Sequence, residues 1–395
     1  MTAAESVAFL WGATTGAHQT EGNNTMSDWW QRETSPGSPL PSPSGDAADS
    51  YHRWREDMDL VADSGLTDYR FGIEWARIEP ADGFISLAEV DHYRRMVAGA
   101  FERGLRPMPT LFHFTVPAWF AASGGWHRDD AVPRFLRYVE AILPVLSDGV
   151  ERVETINEPN IYAVLASSSR PGDGSLSRGL PVPDPQLSAK MIAAHDAVRD
   201  FLRDRLPQIQ SGWGISVQDY QAAEGAEDVF HDYVWPRDEV FLEASKGDDW
   251  VGIQTYTRGV IGKVDGLPQP LINDRSPVTQ TGWEDYPRAL GGALKRAADV
   301  LGGVPLIVTE NGIATDDDER RIAFTEAALQ SLWEAKADGV NVAGYFHWSL
   351  LDNYEWGTFG PRFGLVSVDR VTFQRTAKPS LAWLGAKAKE RLDEH

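Results

Sequence analysis

The chain has 395 residues, 42% hydrophobic and 24% charged, a balance that can bury a large core and excludes a chain disordered by composition. Its formal charge of -21 repels nucleic-acid phosphates and anionic membrane surfaces, so neither is an expected partner. With no cysteine, it has no thiol nucleophile, no disulfide and no thiolate metal site. The opening MTAAESVAFLWG lacks a basic segment ahead of a long apolar run, and no later stretch reaches the length of a membrane span. The expectation is a soluble, cytoplasmic protein.

Runs rich in Val, Ile, Phe, Tyr and Thr recur along the chain with helix-like stretches between them, the pattern of repeated β-α units. The first is AFLWGATTG (8–16) and the second TDYRFGIEW (67–75). The helix SLAEVDHYRRMVAGAFERG follows, with Ser86 and Glu89 at capping-box spacing ahead of amphipathic periodicity. PMPTLFHF (107–114) leads into DDAVPRFLRYVEAILPVL, and RVETINEP (152–159) into QLSAKMIAAHDAVRDFLRDRL. GWGISVQ (212–218), DWVGIQTYT (249–257) and PLIVTENG (305–312) come next, then the helix ERRIAFTEAALQSLWEAKADG. VAGYFHWSL (342–350) is the eighth strand, before a last helix near 377–392.

Eight strands alternating with helices predict an α/β fold, a closed (β/α)8 TIM barrel filling residues 1–395 as a single catalytic domain. No GxGxxG or Walker-type loop supports an open doubly wound sheet. Two long loops, SPGSPLPSPSGD (35–46) and SSSRPGDGSLSRGLPVPDP (167–185), follow strand ends, where a barrel keeps its active-site loops.

Side chains that only pack a barrel should be apolar, so polar residues gathered at strand ends point to a site. Strand two carries Arg70, strand three ends in His113, strand four in Asn157 and Glu158, and strand six in Tyr256. Strand seven ends in Glu310, and strand eight in His347 and Trp348. Two glutamates at the mouths of different strands, without HExxH or an Asp-rich loop, suit a carboxylate pair working without metal. One carboxyl must be protonated to give a proton to a leaving oxygen, and the other ionised. Pro159 biases Glu158 toward an extended backbone that aims it across the mouth, and nearby negative charge would keep it protonated. Arg70 and the Tyr256 hydroxyl would stabilise an ionised Glu310. Glu158 is thus the acid/base candidate and Glu310 the nucleophile candidate, with Glu74 and Glu355 competing for the same roles. His347 reads as structural. Fifteen tryptophans are many for this length; rings of this kind stack on sugar faces, though most of the fifteen serve packing.

The segments FLWGATTGAHQTEG, YRFGIEWARIEP, TINEPN, VTENGI and GYFHWSLLDNYEWGTFGPRFGL, in that order, resemble signatures of glycoside hydrolase family 1, the β-glucosidase and β-galactosidase group. The resemblance spans residues 8–385 and implies a retaining β-glycosidase acting on a small-molecule β-glycoside through a covalent glycosyl-enzyme, with no cofactor or metal. It makes Glu158 of TINEP the acid/base and Glu310 of TENG the nucleophile. It places Gln19, His113, Asn157 and Glu355 on sugar hydroxyls, with Asn157 at the 2-hydroxyl, Trp348 as a stacking floor and Trp356 as an indole donor. Glucose, galactose and fucose remain open as the glycone. The chain departs from the family pattern at Phe114, where Trp follows the histidine, and at Gln254 and Thr255, where the family has Asn and Tyr. Glu355 is retained, and its negative charge disfavours a 6-phosphosugar. A transglycosidase using the same intermediate, or a sugar-binding homologue that has lost turnover, are the rival readings.

Overall fold

The computed structural model describes residues 9–167, 180–273 and 275–393. All eight expected runs are strands: β1 Leu10–Thr14, β2 Asp68–Gly72, β3 Arg106–Thr110, β4 Arg152–Asn157, β5 Gln210–Ser216, β6 Val251–Gln254, β7 Leu306–Asn311 and β8 Val342–Trp348. Each pairs in parallel with its neighbours in sequence, and β8 returns to β1, closing the barrel. Strands in such a barrel are covered on both faces, which is why they read as near-continuous apolar runs: every residue of β1, β2 and β7 is buried. The barrel floor is an apolar plug of Leu10, Met108, Trp250, Ile307 and Phe346.

The helix Leu87–Glu102 begins as its sequence predicts, with the Ser86 hydroxyl accepting from the Glu89 amide at 3.4 Å. The other half of the capping box has a different partner: the Glu89 carboxylate accepts from the Tyr51 hydroxyl at 2.9 Å. The last helix runs over Pro379–Asp393. Of the two predicted loops, residues 35–46 fold over the barrel mouth, where the Ser42 amide donates to the Gly357 carbonyl. Most of the other, 168–179, lies outside the described residues.

Every strand ends before its predicted run does, and at two of them this leaves a site residue on the loop beyond. β3 stops at Thr110 and β6 at Gln254, so His113 and Tyr256 sit on the loops that follow. A three-stranded sheet of Asp219–Ala222, Arg258–Val264 and Leu267–Leu271 is an addition that the barrel pattern hides. Its hairpin turns at Asp265 and Gly266, both with positive φ (50° and 79°), as a two-residue Asp-Gly turn requires. Among the described residues no helix is long and apolar enough to cross a membrane.

Candidate active site

A cavity of about 520 Å³ lies at the C-terminal ends of the strands, and Gln19, His113, Asn157, Glu158, Tyr256 and Glu310 all line it. Trp348, Glu355 and Trp356 line it as well. Arg70 does not reach the cavity; it lies fully buried beneath, inside the barrel.

Both carboxylate-bearing strands carry one extra residue just before the site. In β4, Glu154 pairs with Gly212 and Asn157 with Gly214, three residues against two. In β7, Val308 pairs with Ile253 and Glu310 with Gln254, two against one. A bulge of this kind re-aims the side chains beyond it. Glu154 and Asn157, three apart and on opposite faces of a regular strand, therefore both turn to the Arg70 guanidinium inside the barrel.

Arg70 organises what lies around it. Its Nη1 donates to Glu310 Oε1 at 2.7 Å and to Thr14 Oγ1 at 2.9 Å. Its Nε donates to Glu154 Oε2 at 2.6 Å and to Thr110 Oγ1 at 3.0 Å, and its Nη2 donates to Asn157 Oδ1 and contacts Glu154. The other oxygen of Glu310 accepts from the Tyr256 hydroxyl at 2.6 Å. Gln254 Nε2 also donates to Asn157 Oδ1, at 2.8 Å. With its carbonyl oxygen held by two donors, Asn157 presents its amide nitrogen to His113 Nε2 at 3.4 Å. Burial first, and the Arg70 charge second, hold the His113 imidazole well below its usual pKa and therefore neutral.

Glu158 sits between β4 and the helix Pro159–Ser167. Its φ is +43°, so the expected extended backbone is not what the structure has. The Glu158 amide donates to the Gly214 carbonyl at 2.7 Å, and its own carbonyl accepts from the Tyr162 amide at 2.9 Å. These two bonds outweigh the pre-proline preference for β, at a strain of about 1–3 kcal/mol. Pro159 is the first residue of the helix, where its missing N–H costs nothing.

The two carboxyls differ in environment. Burial, then the negative charge of Glu310, push Glu158 up to about 8, and Ser216 and Arg70 offset only part of this. Burial raises Glu310 too, opposed by the Arg70 charge and by hydrogen bonds from Tyr256 and Arg70. Repulsion between the two is mutual, and the Arg70 guanidinium and Tyr256 hydroxyl bond to Glu310 and not to Glu158, so Glu310 is the first of the two to ionise.

The remaining residues form the wall beside this pair. Trp348 donates its indole N–H to Glu355 Oε1 at 3.1 Å, and Gln19 Nε2 reaches Glu355 Oε2 at 3.5 Å and Asn353 Oδ1 at 3.3 Å. The rings of His113 and Trp348 stack at 5.9 Å, and Trp356 stacks on His18 at 5.8 Å. Phe114 meets Trp356 edge-on at 5.0 Å, filling with an apolar edge the place where an indole was expected. Burial pushes Glu355 up to about 8 against the indole hydrogen bond. A group mostly protonated at neutral pH carries less of the charge on which the expected exclusion of phosphate rested.

Of the competing residues, Glu74 caps the helix Trp75–Ile78 through the Ala76 amide at 3.1 Å and accepts from Thr115 at 2.7 Å; it does not line the cavity. His347 is fully buried beside Tyr345, 3.3 Å from its hydroxyl. Sequence reasoning missed Glu154, whose only signal is a charge within an otherwise apolar strand. It also missed the walls supplied by Gly259, Val260, Ile261 and Leu271 of the added sheet. Their signal is the Asp-Gly pair at 265–266. Among the described residues no group of three or more His, Cys, Asp or Glu is placed to hold a metal ion.

A family model described as Glycosyl hydrolase family 1 matches residues 4–201 and 242–391. Beta-glucosidase A of Thermotoga maritima is 29% identical, over 95% of this chain and 95% of that protein. A bifunctional beta-D-glucosidase/beta-D-fucosidase of Bifidobacterium breve is also 29% identical, over 95% and 96%. The crystal structure of a beta-glycosidase superposes with a TM-score of 0.88 at 40% identity, covering 97% of this chain and 96% of that one.

Proposed function

The chain belongs to glycosyl hydrolase family 1, and from that premise we propose that it hydrolyses terminal, non-reducing β-D-glucosides with retention of configuration, through a covalent glycosyl-enzyme. One observation carries the reading: two carboxyls share a cavity, the buried Glu310 held by Arg70 and Tyr256, the half-buried Glu158 pushed up to about 8.

Glu310 attacks the anomeric carbon while Glu158 gives its proton to the departing glycosidic oxygen, which leaves as an alcohol. Positive charge spreads over the ring carbon and oxygen in the transition state, facing the Glu310 carboxylate. Water then enters where the alcohol left. Glu158, now ionised, takes a proton from it as it attacks the glycosyl ester, and Glu310 departs as carboxylate. Asn157 offers its amide to the 2-hydroxyl, Gln19, His113 and Glu355 bind the other hydroxyls, and Trp348 is the floor. Relatives named for glucosidase and for fucosidase activity leave the 4- and 6-positions as the points of discrimination, since D-fucose differs from D-glucose in its axial 4-hydroxyl and its missing 6-hydroxyl.

Release of nitrophenol from a panel of aryl β-glycosides tests the reading, and kcat/KM against pH should be bell-shaped. The acidic limb reports Glu310, which must be ionised to attack. The basic limb reports Glu158, which must be protonated, and should fall near pH 8 in the free enzyme. A flat profile from pH 4 to about 9 contradicts these roles. Glu355→Ala removes a hydrogen-bonding carboxyl at the sugar wall and should lower kcat/KM on aryl β-glucoside about 10- to 100-fold. An unchanged kcat/KM takes Glu355 out of the site.

A further inference from the structure

Glu154 is a third carboxylate below the cavity that takes no part in bond cleavage. It is fully buried, and its Oε2 accepts from Arg70 Nε at 2.6 Å and Thr110 Oγ1 at 2.7 Å. Its Oε1 has no hydrogen-bond partner. Room for it is made on the next strand, because a Cβ at Gly214 would fall 2.3 Å from Glu154 Oε1 and 2.6 Å from Gln254 Nε2. A buried carboxylate carries a desolvation cost of several kcal/mol, and an apolar side chain of similar volume usually packs a core as well or better. Packing therefore does not account for a charge here.

What Glu154 changes is the way Arg70 meets Glu310. A guanidinium left to itself grips a carboxylate through two parallel N–H groups. Here the Nε–Nη2 edge is taken by Glu154 and Thr110, so Glu310 receives Nη1 alone, on Oε1. Glu310 Oε2 is left for Tyr256. The same clamp fixes Nη2 on the Asn157 carbonyl oxygen. We propose that Glu154 is a positioning residue: it turns Arg70 so that the nucleophile is held end-on by one N–H, and it takes a share of the guanidinium charge that would otherwise be spent on Glu310. An anion paired with the whole of that charge would be a weaker nucleophile. The inference rests on the reading of Glu310 as the nucleophile.

The charged and titratable groups that face Glu310 are Arg70 from β2, Glu154 from β4, Glu158 just after it, Tyr256 after β6 and Glu355 after β8. Burial raises the Glu154 pKa, opposed by the Arg70 charge and the bonds from Thr110 and Arg70; ionised against the guanidinium, Glu154 adds negative potential at both Glu310 and Glu158, so removing its charge lowers the pKa of each.

Two variants decide the matter, with aryl β-glucoside as substrate. Glu154→Gln keeps the shape and loses the charge. Both limbs of kcat/KM against pH should move acidward by about half to one unit. Glu154→Asp keeps the charge and withdraws it from Arg70. Its limbs should stay in place while kcat falls about tenfold or more at nearly constant KM. A purely structural ion pair would lower the melting temperature and leave limbs and kcat where they are; that result overturns the proposal. Should the glutamine variant not fold, the aspartate variant alone decides, since wild-type kcat in it also overturns the proposal. A wild-type chain inactive on every aryl β-glycoside refutes the functional reading instead, so the two failures are distinguishable.

Discussion

Glu310→Gln is expected to lower kcat on aryl β-glucosides about 10⁴-fold or more, with little change in thermal stability. Glutamine still accepts from Arg70 Nη1 through its one carbonyl oxygen, its amide can donate to the Tyr256 hydroxyl oxygen, and the arginine keeps its ion pair with Glu154, so no buried charge is stranded. What disappears is the carboxylate that forms the glycosyl ester in the proposed mechanism. Glu310→Ala carries the test further, because it opens a space on the face of the sugar from which the carboxylate attacked. Azide placed there should restore turnover and yield an α-glycosyl azide, since a small anion now makes the single displacement. Turnover by Glu310→Gln within tenfold of wild type would remove it from the chemistry.

The second large effect is at Glu158. Glu158→Gln should cost about 10²- to 10⁴-fold in kcat/KM for glucosides whose leaving group needs a proton. With dinitrophenol, a leaving group stable as an anion, the first step needs no acid and should be nearly unaffected. Water attack would then be slow for want of a base, so dinitrophenol should appear in a burst followed by a slow steady state. The limb near pH 8 should vanish, because the group that titrates there is gone. An equal loss for every leaving group, with that limb retained, would assign the proton to another residue.

The barrel was legible because each strand is buried on both faces and announces itself as a short apolar run between amphipathic helices. Polar residues at the ends of those runs were legible for the complementary reason, that nothing in a packed barrel needs them. Less visible was how β4 and β7 aim their side chains. Period-two reasoning puts Glu154 and Asn157 on opposite faces, and only a bulge brings both to Arg70. A bulge leaves almost no mark in a single sequence, because it is set by pairing with the neighbouring strand. Glu158 was misjudged in its backbone for a related reason. The local pre-proline preference predicted β, while hydrogen bonds to Gly214 and Tyr162, the first far away in sequence, impose a positive φ. The added sheet leaves a trace in the Asp-Gly pair, but the eight barrel strands complete their pattern without it.

The stereochemistry of the first-formed product tests the central claim most directly. Proton NMR of the sugar released from an aryl β-glucoside, followed faster than mutarotation, should show the β-anomer first, because two displacements at one carbon restore the starting configuration. The α-anomer appearing first would mean that water attacks directly, and Glu310 would then be a base and not a nucleophile.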